Sequence, residues 1–144
     1  MRALLPAVLL VCVTSIAVAQ QPRAYTEGPV VVMSYIRTKP GSFDKYMEYL
    51  DGNYKREQEG AKKAGLITDY AVYQSMPANE TDWDVLLLTT YKNMAAFDNL
   101  DNRMDAVTAA TVNQNRDQSN QAYSARGAMR DPVGGRLLRQ LILK

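Results

Sequence analysis

The chain has no histidine, a single cysteine, one tryptophan and two phenylalanines in 144 residues. Without histidine it lacks the commonest general base near neutral pH and the usual zinc ligand. The one cysteine, Cys12, falls in an apolar N-terminal stretch, so the remainder of the chain has no thiol for nucleophilic catalysis, metal binding or a disulfide. Charge of one sign is also scarce: 17 Lys and Arg against 15 Asp and Glu leave a formal +2. That field is too weak to argue for nucleic acid or an anionic membrane surface. No glycine-rich phosphate loop, GxSxG elbow or nucleic-acid motif is present. The expectation is a protein with no cofactor and no metal site.

The N-terminus carries the clearest signal. Arg2 precedes the apolar run LLPAVLLVCVTSIAV and the small-x-small triplet Ala17-Val18-Ala19, the pattern of a cleavable secretory signal peptide over residues 1–19. The run is shorter than the roughly 20 apolar residues a membrane span needs. Leu10-Val11 before Cys12 lacks the small residue that precedes a lipidated cysteine. The expected product is exported, periplasmic or extracellular, with no stable membrane association once the leader is gone. Residues 20–29 read as a polar lead-in, and 30–144 as one domain large enough to bury a core.

Along that domain, residues 30–38 (VVVMSYIRT) and 83–91 (WDVLLLTTY) read as strands covered on both faces, and 66–75 (LITDYAVYQS) as a half-exposed strand. Between the first two, Lys39-Pro40-Gly41-Ser42 opens a helix whose stripe is Phe43, Tyr46, Met47, Leu50, Tyr54 and Ala61 and whose end is Gly65. A second helix starts at Asn93 with Met94, Phe97, Leu100, Met104 and Val107 inward, weakened at Asp98-Asn99 and Asp101-Asn102. Six of the nine residues 113–121 are Asn or Gln, which suits a solvated helix or a mobile arm. Asp131-Pro132 and Gly134-Gly135 mark a turn before a last strand, 137–144 (LLRQLILK).

This order of strand, helix, strand, strand, helix, strand, with its KPG turn and terminal RLLRQLILK, resembles the dimeric α/β-barrel superfamily of ferredoxin-like domains. It is most similar to small exported bacterial members of unassigned function, and more distantly to antibiotic-biosynthesis monooxygenase and NIPSNAP-type domains. The resemblance implies an α+β fold: a four-stranded antiparallel sheet with helices on one face, pairing with a second chain through the other. The missing histidine argues against the haem chemistry of some of these relatives. Pairing also follows from the residues. Two helices cover one side of a four-stranded sheet, whereas strands 30–36 and 85–90 are apolar on both sides, so a second copy is the simplest cover.

Four side chains are weak ligand-binding candidates: Tyr35, Tyr73, Trp83 and Arg139. The aromatic three lie on or beside strands, where alternation sends some of them into the space between paired sheets; tyrosine there lines a pocket and offers a hydroxyl. Arg139 interrupts an apolar strand and needs a partner if buried. With Arg126, Arg130 and Arg136 it can gather around a carboxylate or phosphate, although solvated surface charge is the stronger reading of such a set. Asp44, Glu48 and Asp51 share a helix face but read as a solvated acidic surface, relieved by Lys55. The expected partners are a second copy and a small apolar or aromatic molecule held between the sheets. An alternative is a cofactor-independent monooxygenase or isomerase acting on an aromatic substrate; no individual catalytic residue is transferable.

Overall fold

The computed structural model describes residues 21–144; the expected leader and Cys12 lie outside the described residues. Strand β1 spans Tyr25–Thr38. Helix α1 (Phe43–Tyr49) continues through a π-helical turn, Leu50–Tyr54, into α2 (Lys55–Lys63). Strands β2 (Asp69–Gln74) and β3 (Val85–Tyr91) follow, then a 3-10 turn at Met94–Phe97 and helices α3 (Leu100–Val112) and α4 (Arg116–Ala125). A second 3-10 turn, Arg126–Ala128, leads into β4 (Arg130–Leu143). All pairings are antiparallel and the sheet order is β2-β3-β1-β4. The fold is therefore α+β with ferredoxin-like order, as the strand and helix succession implied.

The first helix ends where glycine permits it. Gly65 has φ +70°; its N–H donates to the Lys62 carbonyl at 3.0 Å and that of Leu66 to the Ala61 carbonyl at 2.9 Å. This is a Schellman closure, and Leu66 folds back into the core. The π turn at Leu50–Tyr54 brings Tyr54 back toward the stripe of Tyr46 and Leu50. At Gly60 a Cβ would stand 2.5 Å from Thr111 Cγ2 and 2.9 Å from Val107 Cγ1, so glycine is what lets α2 and α3 approach.

Several boundaries differ from the sequence reading. The lead-in is not loop throughout: β1 begins at Tyr25, because Tyr25, Thr26 and Glu27 pair with Leu143, Ile142 and Leu141, and a register shift before Val30 accommodates Pro29. The turn expected at Asp131-Pro132 and Gly134-Gly135 is instead the first half of β4. Pro132 stands opposite Ile36 on an edge strand, where its missing N–H is tolerated, and a bulge shifts the register beside it. Gly135 belongs there because a Cβ would sit 3.0 Å from the Met33 carbonyl oxygen. Strand β2 loses its first residues, since Leu66 and Ile67 are buried with Ala61 and Val107. Strand β3 begins at Val85 rather than at Trp83.

The second helix is divided at the Asp98-Asn99 pair. Asn99 adopts φ 52°, and the Arg103 guanidinium donates to the Ala96 and Asp98 carbonyls across the break. The Asn/Gln-rich segment is the helical alternative rather than an arm. Asn113 ends α3 at φ 54°, and Asn115 forms a capping box with Gln118 that starts α4.

Strand register sorts the sheet into two faces. Ile36, Val85, Leu87 and Val72 face α1 and the π turn, packing with Tyr46 and Leu50, and Val30, fully buried opposite Tyr91, lies on the same face. The opposite face carries two cross-strand rows, Tyr35–Leu86–Tyr73 and Met33–Leu88–Ala71, with Val31 beside Leu138. Neither core cluster includes a residue of those rows, and of them Leu86 alone is buried, between Tyr35 and Tyr73. On β4, Leu137, Leu138, Leu141 and Ile142 are each about half exposed.

Candidate functional site

The four sequence candidates do not form one group. Tyr35 and Tyr73 share the uncovered face through Leu86, and the Trp83 ring lies 5.3 Å from that of Tyr35. Tyr73 is 53% exposed, so this cluster is a surface rather than an enclosed site. Arg139 stands opposite Val30, on the other face. Its guanidinium pairs with Glu27 at 2.7 Å, which supplies the partner its position in an apolar strand demanded.

The aromatic cavity lies on the covered face. A space of about 330 Å³ between the sheet, α1 and α2, and the C-terminal end of α4 is lined by Tyr46, Tyr49, Tyr54, Tyr123, Arg126 and Arg130. Ser34, Leu87, Glu57 and Gln58 complete much of its wall. The helix supplies three tyrosines from its inward side; Tyr46 and Tyr49 stack at 5.9 Å, and Tyr54 meets Tyr70 edge-on at 6.1 Å. Tyr123 arrives from α4 and is 54% exposed, so the space opens to solvent on that side; the turn that follows carries Arg126 and delivers Arg130 at the start of β4.

Those arginines are held by rings. Arg126 lies 4.8 Å from the Tyr49 centroid and 5.3 Å from that of Tyr123; Arg130 lies 4.9 Å from Tyr123 and 5.9 Å from Tyr46. Arg130 is 6% exposed, its Nε has no hydrogen-bond partner, and neither arginine makes an ion pair among the described residues. Guanidinium does not deprotonate in proteins, so the charge persists. A cation over an aromatic face gains about 0.5–2 kcal/mol, less than the several kcal/mol that desolvating an unpaired charge costs. The cavity thus has an unsatisfied positive pole.

Its other groups are held neutral or pushed that way. Burial raises the Tyr46 hydroxyl to about 12, against the pull of Arg130. Burial also raises Tyr49 and, further still, Tyr54, so these phenols stay protonated and able to donate. Glu57 is half-buried and its carboxyl is raised by desolvation, with the Thr108 hydroxyl and then Arg126 pulling it down. A raised carboxyl among phenols has the chemistry of a proton acceptor or donor.

A larger groove of about 640 Å³ between the 3-10 turn, α3 and α4 is lined by Asn99, Asp101, Asn102, Asp105 and Arg116 among others. Its charges are already matched, Arg116 bonding Asp105 and Asn102, and no buried group there lacks a partner by virtue of the groove. Near the opposite end of the sheet, Arg37 and Lys39 both pair with Asp131, and Thr38 bonds Asp84. The acidic face of α1 is solvated, and Asp51 pairs with Lys55 at 2.9 Å.

Of this site the sequence had singled out Arg126 and Arg130, and had read Tyr46 and Tyr54 as core. Tyr49 lay off the hydrophobic stripe and Tyr123 sat in a segment of unsettled form. The usable signal was tyrosine itself: three of them within nine residues of an amphipathic helix, where leucine would fill a dry core, mean hydroxyls that need somewhere to point.

No family model matches the chain, and no curated protein matches it. Among solved structures it is similar to HapK from Hahella chejuensis, with a TM-score of 0.52 and 13% identity, over 77% of this chain and 91% of that one. At that identity the likeness speaks for the fold and for nothing finer.

Proposed function

We propose that this protein is an exported homodimeric domain that holds a small aromatic molecule in the cavity between its sheet and its helices. The observation that carries the reading is the convergence of four tyrosines and two guanidiniums that make no ion pair on one space of about 330 Å³. A purely structural core has no use for such a lining. Export rests on the leader pattern of residues 1–19. Pairing rests on the uncovered apolar rows and on the half-exposed Leu138 beside them, which a second copy of the same surface buries symmetrically. In this reading Tyr35, Tyr73 and Trp83 line the interface between copies rather than the ligand. The test is a thermal-shift series on the mature protein with mono- and bicyclic aromatic compounds. Stabilisation that disappears in Tyr49→Ala and Tyr123→Ala, and persists in Tyr73→Ala, supports it; stabilisation by none of the compounds overturns it.

One observation favours the catalytic alternative, a cofactor-independent oxygenase or isomerase. Glu57, with its raised carboxyl, faces the same cavity as the tyrosines and is a base of the kind that removes a proton from an electron-rich phenol or anthrone. Oxygen uptake on adding such compounds, abolished by Glu57→Gln, decides for an enzyme; binding without uptake decides for a carrier.

A further inference from the structure

We infer that the molecule in this cavity carries a carboxylate, and that Arg130, assisted by Arg126, is the group that receives it. The inference rests on the cavity reading above and names the chemistry of its ligand. Arg130 is more than nine-tenths buried, faces the cavity, and has an Nε–H with no acceptor. The one acid in the lining, Glu57, makes no ion pair with either arginine among the described residues. Glu27 pairs with Arg139 and Asp105 with Arg116, and Arg103, whose Nε is also buried without a partner, at least donates to two carbonyls; Arg126 and Arg130 have aromatic rings as their neighbours instead.

The surroundings favour a flat acid over a bare anion. Tyr123 lies against both guanidiniums, at 5.3 Å from one and 4.9 Å from the other, while the stacked Tyr46 and Tyr49 form an aromatic wall. A ring lying against that wall places an attached carboxylate beside the guanidinium edge, where the planar fork matches two oxygens. The protonated phenols of Tyr49 and Tyr54 donate to whatever oxygen remains. A hydrated inorganic anion gains nothing from the rings.

The test compares 2-naphthoate with its neutral counterpart 2-naphthamide by titration calorimetry on the mature protein. The expected result is that the acid binds at least about tenfold more tightly than the amide, the advantage of a charge-assisted pair. Arg130→Gln should bring the two within about twofold, Arg130→Lys should restore part of the gap, and Arg126→Gln should narrow it less. Arg126 is the less buried of the two, so its variant keeps the comparison usable if Arg130→Gln fails to fold, and the acid-to-amide ratio in the unaltered protein needs no variant. Equal binding of acid and amide overturns the carboxylate while leaving the aromatic cavity standing. Binding of neither overturns both. Inorganic phosphate or acetate binding as tightly as 2-naphthoate overturns the aromatic acid in favour of an anion alone.

Discussion

Tyrosine stands on both faces of the sheet, and the two faces treat it in opposite ways. Tyr46, Tyr49 and Tyr54 hang from the helix over the covered face, where burial raises their hydroxyls above the ordinary tyrosine value. Tyr35 and Tyr73 stand on the uncovered face in a row with Leu86, and Tyr73 is still half in solvent. The residue type is the same; the cover differs. A tyrosine roofed by a helix and flanked by arginine becomes part of a cavity, whereas one left on an open sheet becomes part of a surface that another molecule must complete. The sequence could point to both sets but not to which roof each would have.

The sharpest way to break this contrast is truncation on the two faces. Tyr46→Ala should cost about 3–5 kcal/mol in denaturant unfolding, the usual price of emptying an aromatic site in a core. Tyr73→Ala should change the stability of the isolated protomer by no more than about 0.5 kcal/mol. Equal losses from the two would mean that the faces are equally covered.

A charge placed on the uncovered rows tests the assembly directly. Leu88→Lys puts an ammonium opposite Met33 and Ala71; at the centre of the proposed dimer interface this should weaken association by about 2–4 kcal/mol, on the order of 10² to 10³ in dissociation constant. Sedimentation at micromolar concentration should then show protomers where the unaltered protein shows dimers, with unchanged circular dichroism. An unaltered protein that sediments as a protomer removes the comparison altogether.

Alkaline titration separates the faces by protonation. The Tyr46 hydroxyl moves from 10.0 to about 12 on folding, so the folded state holds its proton where the unfolded state has lost it. Its contribution is complete below pH 10 and drains away as pH rises through 12, a difference of about 2–3 kcal/mol at one pKa unit per 1.4 kcal/mol. Unfolding midpoints measured across that range should fall steeply in the parent and less so in Tyr46→Phe.

The smallest effect concerns the segment that carries Tyr123 over the cavity. Asn115→Ala removes the capping box of α4 and should cost about 1 kcal/mol, with amide exchange in α4 rising before exchange in β1. If Asn115→Ala also weakens 2-naphthoate binding, the roof of the cavity depends on that cap.

Much of the fold was legible because period and punctuation agree locally. The stripe from Phe43 to Ala61 and the stop at Gly65 required only helical spacing and one residue able to take positive φ. The unbroken runs of β1 and β3 showed strands apolar on both sides. What misled was local chemistry answered by distant contacts. Gly134-Gly135 has the composition of a turn, yet it is strand because the Met33 carbonyl passes too close for any side chain at Gly135. Tyr25 to Glu27 is too polar to announce a strand, and becomes one because the end of β4 runs alongside it. Arg139, chosen because it interrupts an apolar run, finds Glu27 and drops out of the site; Arg130, 9 residues earlier, finds no carboxylate and enters it.

By itself, then, the amino-acid order determined the succession of strands and helices and the excess of apolar surface on the sheet, since both follow from spacing along a few turns or a few residues of chain. The tertiary structure alone decided which tyrosines share a cavity and which arginine is left without an anion. Those outcomes depend on the cover each face receives and on ion pairs between residues far apart in the chain, such as Glu27 with Arg139, and no local pattern encodes the distance between them.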